Sequence, residues 1–267
     1  MVVYYKPATV AEALDRLAEP RAKLLCGGTD LIVGLAADSD IAVVDLKGVS
    51  DLPAPLEITD TEVRFGPTYT MTELIAEPLL QAEFPALVEA ASQVGSVAIR
   101  NRATLVGNLC NASPAADTPG PLLVGEATVE ITGIGAAPLS EFFTGPKRTI
   151  AQGRIVTRVI LPRKGYQTAY LRLTRRKALD LVTVAAAAAV RPGSAKLAFA
   201  AVAPTPVVSD WLPVDVADPA AIANAVAQAA TATSPISDIR GSAEYRAAMV
   251  KVLGARAVTI AAARRQP

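Results

Sequence analysis

The sequence contains no histidine, only two cysteines and few aromatic residues. Its 267 residues include 2 Cys, and Phe, Trp and Tyr together make up 4%. Without histidine, the chain cannot form a Ser-His-Asp triad, a histidine-activated thiol or a histidine-containing zinc site. Two cysteines are also too few to hold an iron–sulfur cluster, since such clusters take about four protein ligands. Any redox chemistry must therefore come from an organic cofactor or from another chain.

An excess of charge of one sign and long apolar runs are absent as well. The 26 Lys and Arg residues balance 25 Asp and Glu residues, which argues against a nucleic-acid or anionic-membrane partner. The uncharged run at 219–237 contains too many Asn, Gln, Thr and Ser residues to span a membrane. The first residues lack the pattern of a signal peptide, and two cysteines without a framework favour a reducing compartment. We therefore expect a soluble, cytoplasmic protein.

Aliphatic residues, by contrast, are abundant. Hydrophobic residues make up 51% of the chain, and its length suggests about two domains at roughly 150 residues each. Near the N-terminus, Thr9 and Glu12 have the spacing of a capping box, which predicts a helix that stops before Pro20. Short apolar strands are predicted at 23–26 and 41–46. Together these elements predict a small β-α-β unit.

The middle of the chain predicts a second sheet. A second capping box, formed by Thr70 and Glu73, predicts a short helix, and a further helix is predicted at 85–94. Residues 95–125 are rich in Gly, Asn, Ser and Pro without clear periodicity, so we expect a long structured loop of functional importance there. Strands are predicted at 62–66, 129–132 and 155–161.

After a boundary near 162–168, strands precede helices. Strands are predicted at 169–173, 182–190 and 197–202, and helices at 220–230 and 243–264. This order of elements is typical of an α+β domain.

Two segments could carry chemistry. At 24–31, an apolar strand leads into Gly27-Gly28, where converging amides and the Thr29 hydroxyl could bind a phosphate or pyrophosphate. Alternatively, the two glycines only form a tight turn, with Asp30 capping the next turn of chain.

The second segment, 99–117, combines small residues, amides, hydroxyls and one carboxylate. It could wrap a flat polar ligand, with Asp117 accepting a hydrogen bond from a ribose hydroxyl or a ring N–H. Alternatively, it is a self-bonded loop in which Asn101, Asn108 and Asn111 satisfy backbone groups.

These two segments carry a family resemblance. Leu-Leu-Cys-Gly-Gly-Thr-Asp-Leu at 24–31 resembles the first flavin-binding signature of the FAD-binding subunits of the molybdenum hydroxylases, the family of xanthine dehydrogenase and carbon monoxide dehydrogenase. Ile-Arg-Asn-Arg-Ala-Thr-Leu-Val-Gly-Asn-Leu-Cys-Asn-Ala-Ser-Pro-Ala-Ala-Asp at 99–117 is similar to the second signature. The likeness continues at 139–146, 175–181 and 238–246, so it spans essentially the whole chain.

The resemblance implies an α+β protein with a PCMH-type FAD-binding fold. Two α/β subdomains, at 1–55 and 56–165, would precede an α+β C-terminal domain at 166–267 with a three-stranded sheet plus helices. In the first segment, the implied FAD contacts are Leu24, Leu25, Gly27, Gly28, Thr29, Asp30 and Leu31. In the second, they are Val94, Gly95, Ile99, Ala103, Thr104, Gly107, Asn108, Asn111, Ser113, Ala116 and Asp117.

Three further contacts are implied outside these segments. Ile160 and Leu161 would line the adenine or flavin rim. Arg172 stands where the family often has a lysine that reaches the cofactor, although a solvated strand charge is the alternative.

The implied function is electron transfer without a catalytic side chain in this chain. Electrons would pass from [2Fe-2S] clusters on a small subunit through non-covalently bound FAD to an external acceptor, and molybdopterin would lie on a large subunit. The expected assembly is a heterotrimer able to dimerise. Two alternatives stay open: a non-catalytic assembly subunit that has lost flavin, and a self-contained flavin oxidase of the vanillyl-alcohol-oxidase type.

The sequence departs from the family pattern at four positions. Val106 and Ala103 replace common glycines, and Val106 is expected to crowd the cofactor face. Cys26 and Cys110 stand where alanine is frequent, and both are expected to be small buried hydrophobic residues.

Overall fold

The computed structural model describes residues 1–36, 40–177 and 179–264. Residue Ala178, inside the likeness at 175–181, therefore lies outside the described residues. Among those that are described, no helix is both long and apolar enough to cross a membrane.

The first unit is a three-stranded parallel sheet covered by one helix. Its strands follow the spatial order β1-β3-β2, and strand β1 was not predicted. Thr9 accepts a hydrogen bond from the Glu12 amide at 3.2 Å, but the Glu12 carboxylate accepts from the Ala8 amide, one residue earlier than the capping box predicts. The elements are β1 (Val2–Tyr5), α1 (Val10–Leu17), β2 (Ala22–Leu25) and β3 (Ile41–Asp45).

The second unit is an antiparallel sheet of order β4-β5-β10-β6-β7 packed against short helices. The capping box of Thr70 and Glu73 is confirmed, because each side chain bonds the backbone of the other. The elements are β4 (Leu56–Ile58), β5 (Glu62–Phe65), α2 (Met71–Ala76), α3 (Pro78–Glu83), α4 (Pro85–Ser92), α5 (Val97–Arg100), α6 (Leu105–Cys110), α7 (Pro119–Val124), β6 (Thr128–Ile131), β7 (Gly135–Pro138), the hairpin β8 (Phe143–Gly145) and β9 (Arg148–Thr149), and β10 (Val156–Pro162).

The prediction of a long loop at 95–125 was wrong, because helices α5, α6 and α7 lie there. Ser96 and Thr104 cap the first two through their side chains, and Pro119 begins the third. Each helix has only 4 to 6 residues. That length is too short for a helical repeat of apolar residues to show in the sequence.

Among the residues that the structure describes, the third unit has five strands rather than the predicted three. Two-residue strands β14 and β15 add to β13, and nothing in their own sequence reveals them because they exist only by pairing. The elements are β11 (Gln167–Leu173), β12 (Val184–Arg191), β13 (Ser194–Ala200), β14 (Val207–Val208), β15 (Leu212–Pro213), α8 (Pro219–Ala230) and α9 (Ala243–Ala263).

Strand β12 joins the second and third units. Because side chains alternate along a strand, Ala185, Ala187 and Ala189 enter the core of the second unit, while Ala186 and Ala188 enter the core beneath α8 and α9. A Cβ added at Gly120 of α7 would lie 3.3 Å from that of Ala187. The second and third units therefore share a packed interface, which fixes α7 and the residues before it against the third sheet.

Candidate functional site

The two predicted segments meet through their backbones. A side chain at Gly27 would place its Cβ 2.8 Å from the carbonyl carbon of Arg102, closer still to the carbonyl oxygen, and 3.0 Å from Cα of Ala103. Only glycine allows this approach. Nearby, Asn111 donates from Nδ2 to Oδ1 of Asp30 at 3.0 Å. The structure therefore brings the first and second segments into direct contact.

The turn at Gly28 is both tight and accessible. Gly28 has a φ of +75°, in the left-handed region, and its carbonyl accepts a hydrogen bond from the Ile32 amide at 2.9 Å. Gly27, Gly28 and Thr29 are half-buried, whereas Leu25 behind them is buried. The turn is thus partly accessible, and its backbone amides and the Thr29 hydroxyl are the kinds of donor expected of an anion-binding site.

Helix α6 carries the second segment and turns its apolar side chains inward. Thr104 is buried, and its hydroxyl accepts a hydrogen bond from the Gly107 amide at 3.0 Å. Ala103 and Val106 belong to the hydrophobic core. The expectation that Val106 crowds the cofactor face was therefore wrong, because its side chain is only 4% exposed. Gly107 occupies the exposed face instead.

The asparagines bond to side chains rather than to the backbone. Asn101 accepts from the Thr72 hydroxyl at 2.7 Å and Asn108 from the Thr118 hydroxyl at 2.6 Å, while Asn111 reaches Asp30 as described. The bonds of Asn101 and Asn111 fix the segment to other parts of the chain, unlike the self-bonded loop considered above, whereas Asn108 bonds the residue directly after the segment. Ser113 follows the local pattern and accepts from the Ala115 amide at 3.3 Å, as Thr104 accepts from the Gly107 amide.

Asp117 lies in a buried polar group with two residues of β11. Tyr170 donates its hydroxyl to Oδ1 of Asp117 at 2.7 Å, and Arg172 NH1 lies 3.1 Å and 3.2 Å from its two oxygens. Burial raises the pKa of Asp117, while the hydrogen bond from Tyr170 and the charge of Arg172 act in the opposite direction. The alternative that Arg172 is a solvated charge was wrong, since its side chain is 9% exposed.

Tyr170 was missed by sequence reasoning, although a signal for it existed. It lies two residues before Arg172 on the same strand, and residues separated by two share a face. Ala116, which precedes Asp117, is also buried. At this end of the second segment, the Asp117 carboxylate is therefore buried and paired with Arg172 rather than free.

The remaining predicted contacts lie around these groups. Gly95 has a φ of +49° and lies against Ile99, and Arg100 donates to the carbonyl oxygen of Val94 at 3.0 Å. Leu24 and Leu31 are half-buried, and Asp30 is exposed.

Strand β10 places its two predicted residues differently. Ile160 is half-buried, whereas Leu161 is 1% exposed. A Cβ added at Gly125 would lie 2.6 Å from Cδ1 of Leu161. The Leu161 side chain therefore packs in the core behind α7 and does not line a surface.

The two cysteines differ from each other. Cys26 is half-buried and packs against the core of the first unit, and burial raises the pKa of its thiol to about 12 against the lowering effect of Lys47. Cys110, at the end of α6, is exposed. Burial of its thiol nevertheless raises the pKa to about 12, so the expectation of burial was wrong for the residue as a whole but not for its sulfur.

Two known protein families match successive parts of the chain. Residues 1–164 match the family described as FAD binding domain in molybdopterin dehydrogenase. Residues 169–261 match the family described as CO dehydrogenase flavoprotein C-terminal domain.

Curated relatives match along almost their whole length. The xanthine dehydrogenase FAD-binding subunit of Escherichia coli O157:H7 is 31% identical over 282 residues, covering 97% of this chain and 96% of the relative. The carbon monoxide dehydrogenase medium chain of Afipia carboxidovorans is 33% identical over 283 residues, covering 98% and 96%.

Solved structures agree with the fold. A chain of reconstituted CO dehydrogenase from Oligotropha carboxidovorans superposes with a TM-score of 0.89 at 31% identity, covering 99% of both chains. A chain of quinoline 2-oxidoreductase from Pseudomonas putida 86 gives a TM-score of 0.87 at 28% identity, covering 98% of this chain and 97% of that one. These superpositions confirm the predicted fold.

Proposed function

Because this chain belongs to the family of FAD-binding subunits of the molybdopterin dehydrogenases, we propose that it holds one dissociable FAD and passes electrons from one partner subunit to an external acceptor. The observation that carries the proposal is the close approach of 24–31 to 99–117, where only a glycine at position 27 fits against the backbone of Arg102 and Ala103. No histidine is available for covalent attachment of a flavin. This removes the commonest covalent attachment of a flavin and is consistent with a dissociable cofactor.

The residues present fit a flavin dinucleotide. The turn at 27–30 offers backbone amides and the Thr29 hydroxyl to a pyrophosphate, as anion-binding turns do. Gly107 lies at the exposed face of α6 without a side chain, so the ligand can approach the backbone there. Asn108 and Asn111 keep amide groups at the same surface, while Asp117 and Arg172 form a polar boundary farther along the segment.

The flavin would supply the capacity to accept and release electrons, and the protein would bind, orient and shield it. Within this division, Asp30 and Asn111 hold the two segments together, and Arg172 balances the charge of Asp117. The half-buried residues among the other predicted contacts, Leu24, Leu31 and Ile160, would contribute shape at the rim of the same surface. We propose the divisions 1–55, 56–165 and 166–267 for the three structural parts of this subunit.

The partners belong to the same proposal. Two relatives are a "medium chain" and an "FAD-binding subunit" by name, which supports an assembly with other chains. We assign the [2Fe-2S] clusters to a small subunit and the molybdopterin to a large subunit, in a cytoplasmic heterotrimer able to dimerise. The absence of any metal-ligating histidine is consistent with this division of cofactors.

Flavin reconstitution tests the binding step. The purified chain is mixed with excess FAD and passed through a gel-filtration column, and the absorbance and fluorescence of the retained flavin are measured. We expect one FAD per chain with a perturbed absorbance spectrum. A chain that retains no flavin and leaves its spectrum unchanged contradicts the proposal.

Co-purification from native cells tests the partners. We expect a cysteine-rich small chain and a much larger chain to accompany this one together with FAD. Partners without FAD would instead identify an assembly subunit, and a lone chain that oxidises substrate would identify a flavin oxidase. The assembly alternative depended on Val106 obstructing the cofactor, and Val106 is buried in the core.

A further inference from the structure

The segment 238–246 shares the family likeness but has no role in the proposed contacts, and it ends at a buried arginine. Arg246 lies in α9 and is 1% exposed. Its NH1 donates to the carbonyl oxygens of Ala201 at 2.7 Å and Thr183 at 2.9 Å, and its NH2 contacts Oδ1 of Asp238 at 2.5 Å. A buried charge is costly unless it is paired in this way, so the chain keeps this guanidinium at a specific place.

The first carbonyl partner connects Arg246 to the second segment of the candidate site. Ala201 has a φ of +63°, in the left-handed region. Its amide donates to the carbonyl oxygen of Pro114 at 2.7 Å. Pro114 lies three residues before Asp117, so the peptide that Arg246 holds in turn holds this segment.

The second carbonyl partner connects Arg246 to the strand of Arg172. The amide of Thr183 donates to the carbonyl oxygen of Leu173 at 2.8 Å. Leu173 is the last residue of β11 and directly follows Arg172. One guanidinium therefore binds both Ala201, whose amide holds the segment before Asp117, and Thr183, whose amide holds the strand of Arg172.

Asp238 keeps the guanidinium in place. It also accepts from Arg240 through Nε at 3.1 Å and NH2 at 2.6 Å. Hydrogen bonds from Arg240, together with that from Arg246, hold the pKa of Asp238 well below its usual range despite partial desolvation. The carboxylate is therefore ionised across the whole physiological range and remains a partner for Arg246.

We infer that Arg246 is a positioning residue for the flavin site, which sets Asp117 and Arg172 relative to each other through the backbones of Ala201 and Thr183. This inference rests on the proposed function. A purely structural arginine would stabilise the third unit without any specific effect on the segment 114–117.

Arg246→Lys tests the inference, with Arg163→Lys as its matched control. A lysine presents one compact ammonium and cannot hold two carbonyls and a carboxylate in the geometry of the guanidinium. Arg163 likewise binds a carboxylate and a backbone carbonyl, those of Glu83 and Thr59, but it has no bond to the candidate site. The FAD dissociation constant, the melting temperature and amide hydrogen exchange of the flavin-free chain are measured for both variants.

We expect Arg246→Lys to weaken FAD binding by about tenfold, which corresponds to about 1.4 kcal/mol. Hydrogen exchange at Ala201 and Thr183 should accelerate, whereas Arg163→Lys should leave exchange there and FAD affinity unchanged. If Arg246→Lys does not fold, Asp238→Asn provides the second variant, with the same direction expected for both measurements.

The outcomes separate this inference from the proposed function. If the unmodified chain binds FAD and both arginine variants bind it equally well, Arg246 is structural only and the inference fails. If the unmodified chain binds no FAD, the proposed function fails. Unchanged exchange at Ala201 and Thr183 in Arg246→Lys would then overturn the positioning role independently.

Discussion

Asn111 donates a hydrogen bond from Nδ2 to Oδ1 of Asp30 over 3.0 Å, joining side chains 81 positions apart. In Asn111→Asp, two carboxylates would lie opposite each other, and the amide that donates to Asp30 would be lost. We expect Asn111→Asp to weaken FAD binding by about 1 kcal/mol, measured by titration of flavin fluorescence. Asn101→Asp is the control, because Oδ1 of Asn101 accepts from Thr72 and aspartate can still do so. Equal affinities in the two variants would contradict a role for the contact.

Gly27→Ala should damage the site through the backbone. The added Cβ would lie 2.8 Å from the carbonyl carbon of Arg102, so the two segments must separate. We expect a loss of about 1–3 kcal/mol in the free energy of unfolding and weaker flavin retention on gel filtration. At Gly48, a Cβ meets no atom within 4 Å, so Gly48→Ala should bind FAD normally. A Gly27→Ala protein as stable as Gly48→Ala would refute the close approach.

Tyr170→Phe should make stability more dependent on pH. Burial raises the pKa of Asp117, and the variant loses the Tyr170 hydrogen bond that opposes this rise. An acid whose pKa is higher in the folded than in the unfolded chain loses stability as the pH rises through that interval. The variant should therefore lose more stability at neutral pH than near the ordinary aspartate pKa of 3.8, reaching about 1.5–3 kcal/mol at neutral pH.

Chemical denaturation at both pH values measures this effect. Tyr245→Phe serves as the control, because Tyr245 is exposed and has no contact with Asp117. A deficit in Tyr170→Phe that is the same at both pH values would show that Asp117 does not couple to Tyr170.

Glu126→Gln should weaken the connection between the second and third units at neutral pH only. Burial opposes ionisation of Glu126, but hydrogen bonds from Lys164, Trp211 and Lys196 lower its pKa from 4.5 to about 2. A carboxyl with a lowered pKa stabilises the fold above its ordinary pKa, and this contribution is lost as the pH falls through the lowered value. The variant should therefore differ from the unmodified chain at neutral pH and converge with it as the pH approaches about 2.

The fluorescence of Trp211 can report on this contact, because the chain contains 1 Trp. The Trp211 indole donates to Oε1 of Glu126 at 2.9 Å, so its fluorescence should change in Glu126→Gln. Glu141→Gln, at an exposed position, should leave both the fluorescence and the acid transition unchanged. Identical acid transitions in the two variants would argue against the contribution of Glu126.

The sequence predicted those elements of the fold that depend only on residues close together in the chain. The helix starts after Thr9 and Thr70 were readable because a cap and its partner lie three positions apart. Strands β2 and β3 were located to within a residue or two from their apolar runs. The two-residue strands beside β13 could not be predicted, since their only cause is the neighbouring strand.

The candidate site shows the same division. The glycine turn and the polar segment at 99–117 were visible as motifs, and the structure brings them together. The inward direction of Val106 was not predictable, because a six-residue helix has no repeat that identifies its buried face. The link between Tyr170 and Asp117 spans 53 positions, so it appears only once the third sheet packs against α7.

Strand β12, with five consecutive alanines at 185–189, has an entropic consequence. An alanine side chain has no rotamers to lose, so ordering residues 185–189 costs backbone entropy alone. Nor can its methyl groups change rotamer to relieve a strain between the second and third units. The spacing between α7 and the third sheet is thus set by backbone positions, which gives the surroundings of Asp117 one packing arrangement instead of several.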